Sequence, residues 1–189
     1  MDIKDAFALH PQLETDRLRL RKISFKDLAD MHAYTTSKKV TKYIPFPTHK
    51  SIEDTRKFID YVLEQYHIQK KLFWGVELKE TQTLIGTIEF VSLDLIHNKA
   101  EIAYLLSDCY WGKGIMSEAA AEIIKFGFQT LQLTRIEART FKENIASQKV
   151  LEKVGMTFEG TLRKSQFLKG RYQDINIFSI LSEDCCESQ

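Results

Sequence analysis

Between residues 100 and 141 the sequence runs as a strand, a short glycine-bearing loop, a helix and a second strand. Such a crossover joins parallel neighbours, because a tight hairpin can only return a strand antiparallel. The segments on either side read instead as hairpins and separate helices. One crossover set among hairpins demands a mixed α/β sheet with helices on both faces. Residues 100–107 supply the first strand, rich in Ile, Tyr and Leu, and residues 134–141 the second. Residues 117–130 have helical composition, with Ala119, Ile123 and Phe126 at helical spacing.

The flanking elements follow from local patterns. Arg17-Leu18-Arg19-Leu20-Arg21 alternates polar and apolar residues, the period of a half-buried strand. Ser24 with Asp27, and Ser51 with Asp54, each have the spacing of a capping box. The first predicts a helix to about Thr35. The second opens a helix whose Phe58, Ile59, Val62, Leu63 and Tyr66 share one face. Between them Tyr43-Ile44-Pro45-Phe46-Pro47 cannot be regular helix. Residues 72–78 and 84–93 predict a hairpin, and residues 144–154 a short helix ended by Gly155. Residues 156–168 and 172–181 flank Lys169-Gly170-Arg171 as a last hairpin. The expected organisation is an N-terminal extension over 1–12, a single domain over 13–182 and a tail over 183–189.

Composition excludes several classes of function. A chain of 189 residues, 43% hydrophobic and 28% charged, can bury a core without a disulfide or metal staple. Its formal net charge of +1, with the signs mixed, gives no electrostatic case for nucleic acid. Cys109, Cys185 and Cys186 are odd in number and irregular in spacing, against a disulfide framework or a zinc site. Cys109 reads as buried structure rather than a nucleophile, the other two as reduced thiols, and no histidine falls in a motif. No metal is expected. No apolar run approaches the roughly 20 residues of a membrane helix. Residues 1–11 lack the apolar core of a signal peptide, so the expected location is cytoplasmic.

The loop Trp111-Gly112-Lys113-Gly114-Ile115-Met116 carries the chemistry. Glycines at a helix start leave backbone amides open to an anion, and the helix dipole favours negative charge there. The plain alternative is a strand-to-helix turn with no ligand. No Gly-Lys-Ser or Gly-Lys-Thr closes the loop, which excludes a Walker nucleotide site. A dinucleotide fingerprint would need a third glycine and would follow the first strand, whereas this loop follows the fourth.

Further residues narrow the reading: Ala100-Glu101-Ile102-Ala103-Tyr104, Glu118-Ala119 behind the loop, Asn144, Ser147, Gly155-Met156, Glu159-Gly160-Thr161-Leu162-Arg163 and Asp174. Together with the element order over residues 13–182 they resemble the GNAT acyltransferase superfamily, and within it the RimJ/RimL-type branch of protein N-terminal acetyltransferases. Trp111 stands where the superfamily usually has Gln or Arg, a substitution common in that branch, and Met116 stands where it usually has a small residue. The resemblance implies the GNAT fold, with about seven mainly antiparallel strands, splayed between the fourth and fifth. It implies acetyl-CoA as cosubstrate, with the diphosphate on residues 111–116 and the pantetheine arm between residues 101–106 and 135–140. Leu105, Leu106 and Asn144 are then further cofactor contacts. It implies direct transfer to an amine, aided by a backbone N–H at a strand bulge near residues 104–106.

The base candidates are Glu89 and Glu101, which are otherwise ordinary solvated strand residues; strand parity does not decide between these readings. The need for a base depends on the acceptor. Deprotonating a lysine at pH 7 costs about 4–5 kcal/mol, against roughly 1 kcal/mol for an α-amine. Many members protonate the departing thiolate with a tyrosine at the position of Leu151, which is absent here. Ser147, one turn earlier, either serves the sulfur or caps the helix. Tyr43, Phe46, Trp74 and Tyr104 either line an acceptor pocket or are core aromatics. Arg163, Lys164 and Asp174 are rim contacts or surface charge. The reading is an N-acetyltransferase acting on a protein N-terminus. Two others stay open: a small-amine acetyltransferase (polyamine, aminoglycoside or amino acid) and a catalytically silent acyl-CoA-binding sensor. Relatives often form homodimers, though no sequence feature here demands one.

Overall fold

Eight strands form a single sheet in the order β1-β2-β3-β4-β5-β6-β8-β7 in the computed structural model, which describes residues 3–69 and 71–185. In chain order the elements are α1 (Ile3–Leu9), β1 (Leu13–Glu14), β2 (Leu18–Arg21), α2 (Leu28–Thr35), α3 (Ile52–His67), β3 (Leu72–Leu78) and β4 (Thr83–Asp94). There follow β5 (Lys99–Leu106), α4 (Ile115–Gln129), β6 (Arg135–Phe141), α5 (Ile145–Lys153), β7 (Thr157–Leu168) and β8 (Arg171–Leu181). Among the described residues β5 and β6 are the one parallel pair. The GNAT fold implied by the sequence is therefore present, with the crossover through α4 where expected.

Helices cover both faces. On one, Ile115, Ala119, Ala120 and Ile123 of α4 and Leu151 of α5 pack on Ile88, Phe90, Ile102, Ile136 and Ala138 of the sheet. On the other, Met31 and Tyr34 of α2 and Ile59 and Val62 of α3 pack on Phe73, Leu84 and Leu105. Both capping boxes form: Ser24 and Asp27 close the 3-10 turn that leads into α2, and Ser51 and Asp54 close the start of α3. The last hairpin turns at Lys169 and Gly170 with φ of +49° and +84°, the left-handed pair that a two-residue turn requires.

To the about seven strands expected the sheet adds the short β1, which pairs with β2 over only two residues, too few to show a period. In the N-terminal extension α1 inserts Ala6, fully buried, into the core. Two expectations need correction. Cys109 is exposed on a 3-10 turn, not buried. The β4–β5 ladder is regular from Gly86↔Leu106 to Phe90↔Ile102 and shifts between Phe90 and Ser92, so the irregularity is on β4 and not near residues 104–106. Cys186 lies outside the described residues.

The N-terminal segment is held by His10, which is 5% exposed and packed against the rings of Tyr66 and Trp74 at 4.8 and 5.0 Å. Its Nε2 accepts the Phe73 N–H at 3.2 Å, so the ring is neutral there, and Nδ1 is buried without a partner. Burial lowers its pKa to about 4. A lowered pKa stabilises the fold fully above the unfolded-state value of 6.5, and the stabilisation is lost as pH falls towards 4. His10→Gln keeps an acceptor for Phe73 but does not titrate. Urea unfolding should show the wild type losing about 3 kcal/mol more than this variant between pH 6.5 and 4; parallel pH profiles would contradict a buried neutral His10.

Candidate active site

Strands β5 and β6 pair from Lys99↔Arg135 to Ile102↔Ala138 and then part. The Ser107 N–H donates to Ile85 O at 2.8 Å. By strand alternation the backbone groups of Tyr104 and Leu106 therefore face the opened side. The Leu106 carbonyl there accepts the Trp111 indole N–H at 2.9 Å, which ties the end of the strand to the loop that follows. A cavity of about 660 Å³ opens between the parted strands, the loop and α5.

The loop forms one wall. Gly112 and Gly114 have φ of +74° and +73°, the left-handed region that costs other residues about 1–2 kcal/mol. A Cβ at Gly112 would meet nothing within 4 Å, and at Gly114 it would approach Lys153 Nζ at 3.6 Å and an Arg17 nitrogen at 3.7 Å. Gly114 is the N-cap of α4 and supplies no side-chain hydrogen bond, so the first amides of the helix stay open. This also explains why α4 starts at Ile115 rather than Ser117: no capping side chain marks the start. A second hollow of about 590 Å³ adjoins the loop, lined by Arg17, Lys113, Ser117, Glu118 and Lys153. Arg17 at the entry to β2 donates to the Lys113 carbonyl at 3.0 Å and pairs with Glu118 at 2.6 Å. Glu118, whose pKa is lowered by these hydrogen bonds against a desolvation cost, also accepts from Thr15 Oγ1 and the Arg17 N–H. The loop and the start of α4 are thus clamped by a residue 96 and 101 positions earlier in the chain.

The opposite wall is α5. Asn144 is its N-cap and accepts the Ser147 N–H at 3.4 Å. Ser147 is therefore not the capping residue. Its hydroxyl lies 2.9 Å from the Tyr104 hydroxyl, which is also 3.1 Å from the Ser147 carbonyl. Burial raises the Tyr104 pKa, so the phenol keeps its proton. Beside the cavity-lining Tyr43, which stacks on Phe141 with centroids 5.8 Å apart, Lys169 Nζ donates to the Thr41 carbonyl.

Of the residues singled out from sequence, Leu105, Leu106, Trp111, Gly112, Gly114, Ile115, Met116, Asn144, Ser147, Tyr43 and Tyr104 line the cavity, while Lys113 lines the adjoining hollow. Trp74 does not: it is fully buried in the core against Phe90 and Phe126, its indole N–H on Pro11 O. Phe46 packs on His49 and Phe58, also outside the cavity. Glu89 and Glu101 are absent from the lining and lie on the sheet face opposite Ile88 and Ile102. Glu89 pairs with Lys71 at 3.1 Å and Glu101 with Arg139 at 3.4 Å; burial raises the pKa of both despite these partners. Asp174 shapes the last hairpin by accepting the Lys164 N–H. Sequence reasoning missed Lys39, Lys42, Lys149 and Lys153 on the cavity wall. Among the described residues Glu143 is the one carboxylate there, and it pairs with Arg171 at 2.9 Å.

Comparison with known proteins agrees with this fold. The family model described as "Acetyltransferase (GNAT) domain" matches residues 17–157. The uncharacterized N-acetyltransferase YoaA of Bacillus subtilis (strain 168) is 36% identical over 173 residues, covering 92% of this chain and 98% of that protein. The ribosomal-protein-serine acetyltransferase of Escherichia coli (strain K12) is 32% identical over 131 residues, covering 69% and 72%. A GNAT-family acetyltransferase from Bacillus anthracis superposes with a TM-score of 0.82 at 34% identity, over 92% of this chain and 99% of that one.

The Arg17 clamp has a measurable consequence. Arg17→Ala leaves Glu118 with only Thr15 and a backbone N–H and frees the Lys113 carbonyl, so hydrogen exchange at the Glu118 amide, which donates to the Gly114 carbonyl, and in the turn after it should quicken about tenfold with the core unchanged. Unaltered exchange there would show that the loop holds its shape without Arg17.

Proposed function

The chain belongs to the GNAT acetyltransferase family, and from that premise we propose that this acetyl-CoA-dependent N-acetyltransferase acts on the α-amine of a protein or peptide N-terminus, in the manner of the RimJ/RimL-type branch. The observation that carries the acceptor reading is the cavity wall beyond the diphosphate site: Lys39, Lys42 and Lys149, and a single carboxylate already committed to Arg171. Such a wall repels polyamines and aminoglycosides. It also offers no free base for a lysine side chain, whereas an α-amine with a pKa of about 7.7–8.0 yields its proton to water near neutrality.

The residues divide the work. The open amides after Gly114, with Lys113, Lys153 and Arg17 around them, suit the diphosphate of CoA. The free backbone edge of β5 at Tyr104 and Leu106 suits the amides of the pantetheine arm. Asn144 and Ser147 flank the same cleft. The amine nitrogen attacks the thioester carbonyl carbon; the N–C bond forms, the C–S bond breaks and the ammonium proton passes to solvent. The thiolate leaves against the Ser147 hydroxyl and takes a proton from solvent. Leu151, 1% exposed in the core, contributes nothing polar to this step.

Release of free thiol from acetyl-CoA, measured with N-terminal peptides, spermidine, an aminoglycoside and amino acids, tests the acceptor. Peptides should be preferred, with kcat/KM rising through pH about 8 to a plateau. Preference for spermidine, or a rate still climbing towards pH 10, would contradict the α-amine reading. Gly114→Val should weaken CoA binding by calorimetry about tenfold or more, because the strained backbone and added side chain close the phosphate approach. Unchanged affinity would remove the loop from the cofactor site.

A further inference from the structure

A buried phenol at the mouth of the parted strands bonds to the Ser147 hydroxyl, which lines the cavity. Tyr104 reaches from β5 across the cleft to α5, with its hydroxyl 2.9 Å from Ser147 Oγ and 3.1 Å from Ser147 O. A phenol carries one proton, and the Ser147 carbonyl, which can only accept, competes for it with Ser147 Oγ, which can do either. The carbonyl lies inside α5, where a helix N–H serves it, and Oγ is the nearer of the two. If the phenol proton goes to Ser147 Oγ, the serine proton is released from Tyr104 and can point into the cavity. If Ser147 donates to Tyr104 instead, the serine has only lone pairs to show a thiolate, which repels them. The Ser147 N–H is held by Asn144, so the serine backbone is fixed and its hydroxyl rotor is the remaining freedom.

We propose that Tyr104 is a positioning residue, whose hydroxyl donates to Ser147 Oγ and so directs the serine proton at the departing sulfur. This rests on the reading above that Ser147 serves the thiolate. The phenol holds its proton through the working pH range because burial raises its pKa, so it is a permanent donor and not itself a source of protons. No proton changes hands between Tyr104 and Ser147. The position on α5 that carries a tyrosine in many GNAT members is Leu151 here, and Tyr104 brings a phenol to the serine from the facing strand instead.

A double-mutant cycle separates this role from simple packing. Tyr104→Phe, Ser147→Ala and the combined variant are compared by thiol release from acetyl-CoA, both with a peptide acceptor and in water alone. The water reaction expels the same thiolate without any acceptor, so the cycle can be completed even if the peptide reading fails. Tyr104→Phe should lower kcat about tenfold with KM for acetyl-CoA within about twofold. Placed on Ser147→Ala, it should cost less than about twofold more. Thermal melting of each variant checks that the fold is kept. Multiplicative losses, or a Tyr104→Phe effect confined to KM, would overturn the proposal and leave Tyr104 as a wall of the cavity.

Discussion

Strands β5 and β6 are hydrogen-bonded for four residue pairs and then separate, and the site depends on that separation. A parallel pair inside a sheet normally satisfies its backbone groups along its whole length. Here the free edge of β5 needs other partners. The Trp111 indole takes the Leu106 carbonyl, and the Tyr104 side chain bridges to α5. The remaining groups face a cavity, so the sheet keeps a slot with unspent hydrogen bonds. An extended amide-bearing arm is the natural occupant of such a slot.

The second element is electrostatic. The start of α4 offers open amides and a positive dipole end, but its first turn also carries Glu118, a charge that would repel an anion. Arg17 and Thr15 bind that carboxylate from the side, so Glu118 serves as an anchor and its repulsion is offset. The same guanidinium fixes the Lys113 carbonyl and so sets the loop backbone between the two left-handed glycines. Loop shape and loop charge thus come from one clamp on β2.

How much of this was legible in the sequence depends on range. Both capping boxes and the Lys169-Gly170 turn were readable because their chemistry lies within a few residues. The crossover, and with it the position of the loop after the strand, followed from element order. Aromatic residues were not separable: β3 is buried on both faces, so parity could not place core Trp74, and cavity-lining Tyr43 lies in a loop that has no period. Parity could not place Glu89 and Glu101 either, since their orientation follows from which neighbours form the core. Arg17 read only as one turn of an alternating strand, because its partners are distant in sequence. The lysines of α5 had no signature until the helix was set against the loop. Their spacing at 149 and 153 is ordinary for a solvated face.

A crystal structure with CoA bound tests the central claim most directly. The account predicts the diphosphate on the amides that follow Gly114, the pantetheine arm along the free edge of β5 at Tyr104 and Leu106, and the sulfur within hydrogen-bonding distance of Ser147 Oγ. A diphosphate on the loop with the arm directed out of the slot between β5 and β6, or a sulfur remote from Ser147, would contradict it.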